Sequence, residues 1–214
     1  MAVIATKQDI NRGMKVLLRR DPRLVPVARL AGEVPLRLSS PDFAGLAGIV
    51  VAQQVSKASA EAIYRRLCAA FDCLDAQSVL AADADTLMRT GLSRPKLATL
   101  RAVAEAVDQG TLDFGALGQM PPDDAIHTMT QVRGIGPWTA EVYLLFCIGH
   151  SDIFPAGDLA LQEAARLAFG LDQRPRETEL RAIAAHWSPW RGVASRLFWA
   201  YYGALRSGSD GAPA

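Results

Sequence analysis

Apolar residues recur along this chain at helical spacing almost throughout. Leu97, Leu100, Val103 and Val107 fall on one face of a helix, with Ser93 placed to cap it and Gly91 breaking the chain before it. From Phe43 to Val51 apolar and small residues run up to Gln53-Gln54, and Ser56 can then cap a helix through Ala62, Ile63 and Leu67 toward Phe71. The pattern predicts short helices over Ala76–Ala81 and Asp83–Thr90, and a helix through Met129, whose positive start suits Asp123 and Asp124. Trp138 to Cys147 reads as a buried helix, Gly149 to Gly157 as a connecting loop, and Asp158 as the N-cap of a helix through Phe169. Ser188-Pro189 reads as a cap followed by proline at the first helical position, opening a helix toward Tyr202. No alternating pattern recurs at the spacing a sheet needs, so the predicted fold class is all-α. One layer of helices cannot bury this much apolar surface, which predicts two helical subdomains. One would span residues 41–153. The other would join residues 1–40 to 154–206, leaving 207–214 as a flexible tail.

Half of the 214 residues are hydrophobic and 21% are charged, which excludes a disordered chain. The formal net charge of +1 does not announce a nucleic-acid partner. Local charge says more. Arg89, Arg94, Lys96 and Arg101 lie together without an acid, as do Arg181, Arg191, Arg196 and Arg206. Such islands can form a positive face or be ordinary solvated helix faces. Cys68, Cys73 and Cys147 are odd in number and lack metal-type spacing, which argues against a disulfide framework or a zinc site. With no signal peptide and no apolar run of spanning length, the expected setting is intracellular and cytoplasmic. His127, His150 and His186 have no metal-ligand spacing and are assigned no role.

The sharpest local signal is Val132-Arg133-Gly134-Ile135-Gly136-Pro137-Trp138-Thr139-Ala140, between two helical patterns. Its glycines permit close backbone approach, and the amides that follow open a helix. That arrangement binds a phosphate oxygen without a basic side chain. A Gly-x-Gly turn also serves as a plain helix connector. After the next helix comes Phe154-Pro155-Ala156-Gly157-Asp158, a carboxylate at a helix start after a kinked loop. An aspartate there is also an ordinary N-cap.

Taken in order, the hairpin, the spacing and the aspartate resemble the helix-hairpin-helix–Gly/Pro–Asp superfamily of DNA glycosylases, and within it the 3-methyladenine DNA glycosylase II group. Ile49–Ser56, Gly91–Lys96, the hairpin with its helix to Phe146, and Asp152–Asp158 with Trp187–Arg191 carry the match, over residues 41–205. The better-known bacterial members have an extra N-terminal α/β domain, for which residues 1–40 are too few. Gly157 replaces the aspartate that often precedes the catalytic one.

The resemblance implies two helical subdomains with a cleft between them, and a monomer acting on duplex DNA that contains damaged bases. It makes Asp158 catalytic. It assigns the amides of Gly134, Gly136 and Thr139 to a phosphate, and the carbonyls of Thr130, Val132 and Ile135 to a monovalent cation such as sodium or potassium. No cofactor is required. The Gln53-Gln54 loop matches the position that plugs the gap left by an extruded nucleotide. Trp138 stands where lyase members carry a nucleophilic lysine, which implies a monofunctional glycosylase using water. Trp138, Trp199 and, more weakly, Tyr143 are the base-pocket aromatics, while Trp187 and Trp190 read as structural. The implied reaction is hydrolytic excision of alkylated bases of the 3-methyladenine and 7-methylguanine type in base excision repair. Other lesion classes, a non-catalytic DNA-binding module and a helical protein-interaction domain are the alternatives.

Overall fold

A computed structural model describes residues 3–209, and among these the chain is all-α. The order is α1 (Lys7–Arg20), α2 (Leu24–Ala31), α3 (Phe43–Ala52), α4 (Lys57–Ala69), α5 (Ala76–Ala81), α6 (Ala84–Arg89), α7 (Arg94–Asp108), α8 (Phe114–Leu117), α9 (Pro122–Thr130), α10 (Pro137–Phe146), α11 (Leu159–Phe169), α12 (Glu177–Ala185) and α13 (Arg191–Ser209). An isolated bridge joins Val3 to His150. No helix of the described residues is long and apolar enough to cross a membrane. Of the expected tail, residues 207–209 continue α13 and residues 210–214 lie outside the described residues.

The chain divides into two compact units, Ser39–Ile148 and the pair of segments Met1–Leu38 with Gly149–Ala214. In the continuous unit, α3 is apolar on every side and its Phe43, Leu46, Ala47, Val50 and Val51 are all buried, as a helix without a polar face must be. It packs on α4, α7 and α10. The inward row of α7, Leu100, Val103 and Ala104, also meets α5. A short turn closes α9 onto α10, giving the helix-hairpin-helix.

In the two-segment unit, a capping box between Thr6 and Asp9 starts α1, and Ile10 and Leu17 face inward. At Gly13 an added Cβ would lie 2.6 Å from Val193 and 2.8 Å from Trp190, so glycine is what lets α1 approach α13. The centre is aromatic. The fully buried Trp187 packs on Phe154 and Phe198 at 5.5 and 5.2 Å, and its indole N–H donates to Asp21 at 3.1 Å. The structural reading of Trp187 is what this packing shows.

Ser188-Pro189 does not open a helix. The Trp190 amide closes a turn onto the Trp187 carbonyl at 2.8 Å, and α13 starts only at Arg191. Ser188 instead donates its hydroxyl to Asp152 at 2.8 Å.

Candidate active site and nucleic-acid interface

The hairpin is built by the end of α9, residues 131–136, and the start of α10. Gly134 holds φ +90°, a conformation other residues rarely adopt, and a Cβ there would overlap the Thr99 hydroxyl of α7. Gly136 differs. Its φ is −92°, and a Cβ would meet nothing within 4 Å. Both glycines are exposed. The first bond inside α10 runs from Ala140 to the Gly136 carbonyl at 3.1 Å, so the amides of Gly136 and Thr139 precede the bonded ladder. This is an anion-binding geometry made of backbone.

Thr139 itself is buried, and its hydroxyl accepts from the Gln53 side-chain amide at 2.9 Å. That bond ties the α3–α4 turn to the hairpin helix. Gln53 is therefore half-buried and engaged within the protein, whereas Gln54 is exposed at φ +55°. A non-glycine residue held in that region is strained, and such strain persists where surrounding structure imposes it. Lys96 fixes the same turn from α7, donating to the Val51 carbonyl at 2.8 Å, and burial lowers its pKa.

The carbonyl of Val132 accepts the Ile135 amide at 3.0 Å. Among the described residues, no backbone amide is bonded to the carbonyls of Thr130 and Ile135. Three neutral carbonyl oxygens on one turn suit a weakly hydrated monovalent cation.

Tyr143 departs from its expected place. It lies inside the core of its unit, fully buried, with its ring 5.5 Å from Phe114. Burial pushes its pKa up, and among the described residues its hydroxyl has no hydrogen-bond partner. Tyr143 packs rather than presenting a face. Trp138, at the second position of α10, is half-buried.

In the other unit the loop 149–157 delivers Asp158 to the N-terminus of α11. Its Oδ1 accepts the amides of Ala160 and Leu161 at 2.9 and 3.0 Å, the bonds of an ordinary aspartate N-cap. A third donor comes from elsewhere. Trp199 of α13 aims its indole N–H at the same oxygen, 3.3 Å away. The carboxylate is half-buried, beside an indole and at the positive end of a helix. This pairing of Asp158 with Trp199 is a contact the sequence reading did not foresee.

A profile of the HhH-GPD superfamily, described as base excision DNA repair proteins, matches residues 47–189, which include the hairpin and Asp158. The chain belongs to this superfamily. The Schizosaccharomyces pombe alkylbase DNA glycosidase-like protein mag2 is 26% identical over 201 residues, 89% of this chain and 93% of the relative. A Bacillus halodurans structure described as a DNA-3-methyladenine glycosidase matches with a TM-score of 0.80 at 30% identity, covering 91% of each chain. The fold is also that of an S. pombe 3-methyladenine DNA glycosylase (Mag1) in complex with abasic DNA, with a TM-score of 0.77 at 24% identity over 84% of this chain and 90% of that one. Other curated relatives are longer, and the chain spans from 32% to 58% of their length.

In this HhH-GPD protein most of the second basic island is engaged within the protein. Arg196 is buried and donates to the carbonyls of Leu36 and Gly192 at 3.0 Å each, with burial lowering its pKa to about 10. Arg191 is committed to Asp152 at 2.8 Å, and Arg181 to Glu177 at 2.8 Å. In the first island Arg101 donates to the Ala82 carbonyl at 2.8 Å, and Lys96 is engaged as described. Most of these charges serve the fold.

Proposed function

We propose that this protein is a monofunctional DNA N-glycosylase that flips alkylated bases out of duplex DNA and excises them by hydrolysis, with Asp158 as its catalytic carboxylate. The observation that carries the proposal is the placement of Asp158, a half-buried carboxylate capping α11 and hydrogen-bonded by an indole, in a chain of the HhH-GPD superfamily.

The chemistry follows from the residues. Flipping the nucleotide costs a few kcal/mol, which binding must supply. Alkylation at a ring nitrogen makes the base a cationic leaving group, so its departure needs little acid catalysis. The bond between base and sugar breaks with its electron pair going to the base, which leaves neutral. Positive charge then develops on the sugar. Asp158 faces that charge with a fixed anion and accepts a proton from the water that adds to the sugar carbon. Trp199 offers an indole to the cationic base, and the resemblance gives Trp138 the same role. Cation–π attraction is worth about 0.5–2 kcal/mol per ring. Cationic bases such as 3-methyladenine and 7-methylguanine are therefore expected to leave fastest.

The hairpin supplies the grip. The exposed backbone at Gly134 and Gly136 takes a phosphate, and the Thr139 amide adds the partial charge of the first helical turn. Gln54, exposed and conformationally fixed, is the residue proposed to fill the gap left by the flipped nucleotide. A sodium or potassium ion at the carbonyls of Thr130, Val132 and Ile135 would stiffen the turn.

Incubation with methylated duplex DNA tests the proposal. Free 3-methyladenine and 7-methylguanine should appear with intact abasic strands. Because Trp138 has no amine to form a Schiff base, borohydride should trap no covalent complex. Strand cleavage by pure protein, or a borohydride adduct, contradicts the monofunctional assignment. DNA binding without any base release favours a non-catalytic binding module.

A further inference from the structure

One face of α13 carries Arg191, Ser195 and Trp199. They are spaced four residues apart and so are stacked along the helix. All three reach the loop that ends at Asp158. Arg191 holds Asp152 with two side-chain bonds of 2.8 and 3.1 Å, and Ser188 adds a third at 2.8 Å. The Gly192 amide donates to the Ser151 carbonyl at 2.7 Å. The buried Ser195 hydroxyl lies 3.0 Å from the Arg191 carbonyl and 3.3 Å from that of Ile153, one proton shared between the two. One turn further on, Trp199 meets Asp158 at 3.3 Å. The tethers follow the loop in order, from residue 151 to residue 158.

The last tether differs in kind from the N-cap bonds. Both amides on Oδ1 belong to α11 itself, so they fix the oxygen relative to that helix. A donor from another helix adds a constraint on the orientation of the carboxylate that α11 does not supply. At 3.3 Å the bond lies at the long end of the range, so orientation rather than strength is its contribution. A catalytic carboxylate must hold its angle to the reacting carbon, since small misplacements are costly in rate.

We propose that the Arg191–Ser195–Trp199 stripe of α13 is a positioning rail for the catalytic loop, and that Trp199 is a positioning residue whose indole N–H sets the plane of the Asp158 carboxylate. This rests on Asp158 being the catalytic carboxylate. It differs from a role for Trp199 as a stacking face alone, because a stacking face does not need the N–H.

The test is to replace Trp199 in the full chain with 3-benzothienylalanine, which keeps two fused rings and has sulfur in place of the N–H. Trp199→Phe is made alongside. The readouts are the single-turnover rate of 7-methylguanine release and the Kd for duplex carrying a tetrahydrofuran abasic analogue. Thermal melting shows whether each variant folds, and the isosteric replacement keeps the test valid if phenylalanine does not pack. The expected result is a rate about tenfold lower for the benzothienyl variant, in keeping with loss of a hydrogen bond to a charged group, with Kd within about twofold of wild type. In an Asp158→Asn background the same replacement should change the residual rate by less than about twofold, because the group it positions is gone. A wild-type rate in the benzothienyl variant overturns the proposal, as does weakened binding at an unchanged rate, or a loss that persists beside Asp158→Asn. The controls separate the underlying reading: a wild type that releases no base, or an Asp158→Asn variant that releases it normally, refutes the assignment of Asp158 and this inference with it, whatever happens at position 199.

Discussion

Asp158 does two jobs with one side chain. As N-cap it satisfies two amides at the start of α11, and as a fixed anion it is the proposed centre of the reaction. The two jobs separate by substitution. Asparagine keeps an oxygen acceptor and is as good a cap, so Asp158→Asn should melt within a degree or two of wild type, about the resolution of a small change in stability. Alanine removes the cap, and Asp158→Ala should lose about 1 kcal/mol in denaturant unfolding. Equal stability of the aspartate and alanine forms would show that the two cap bonds carry no weight. Arg196 makes the opposite point about charge. It looks like part of a DNA-facing island along the chain, yet it is buried, and its guanidinium ties α13 to the Leu36 carbonyl.

At the scale of elements, the two hairpin glycines make distinct predictions. A side chain at Gly136 meets no protein atom within 4 Å, and its φ of −92° is open to any residue. Gly136→Val should therefore fold normally and weaken DNA binding regardless of sequence, because what it blocks is approach to a phosphate. Gly134→Ala should destabilise as well, from its φ of +90° and its overlap with Thr99. Binding titrations beside thermal melts separate the two. Binding should fall only modestly with salt, since amides displace fewer counterions than lysines. A steep salt slope that survives Gly136→Val would move the grip to side-chain cations. These helices were legible in the sequence because their apolar rows and caps are local: Ser56, Asp83 and Asp158 cap α4, α6 and α11 through their own side chains. The start of α1 carried a similar signal, the Thr6–Asp9 box, which the sequence reading passed over. What was not legible depends on distant partners. Ser188 is drawn to Asp152 and the helix start slips to Arg191; Gln53 is tied to Thr139 on another helix; Tyr143 sits at the helical spacing of a pocket residue but points into the core. Side-chain direction at such positions is set by the packing of other elements, which no local pattern records.

At the scale of the whole molecule, the N-terminal segment and the C-terminal helices form one unit around Trp187, with residues 39–148 as the other. His150 opens the return of the chain into the first of these and gives the fold a pH dependence. Burial holds its pKa below the ordinary 6.5, opposed by the Asp152 carboxylate and assisted by the Arg191 guanidinium. Its Nδ1 accepts the Asp152 amide at 3.0 Å, and among the described residues its buried Nε2 has no hydrogen-bond partner. Because the folded pKa is depressed, the unfolded chain takes up the proton first. The contribution is complete above pH 6.5 and is lost as pH falls below that value. Melting temperature should decline from neutral pH toward the depressed folded value, and His150→Gln, which keeps an acceptor for the amide, should flatten that decline. An unchanged slope would place the acid sensitivity elsewhere, for example in the Asp152–Arg191 pair. The central claim is catalytic, and one measurement reaches it directly. Methylated duplex DNA is incubated with wild type or Asp158→Asn at matched occupancy, and the released bases are resolved and quantified over time. The account predicts release of 7-methylguanine and 3-methyladenine by the wild type, and release near the spontaneous rate by Asp158→Asn with duplex affinity retained. Comparable release by both proteins would contradict it.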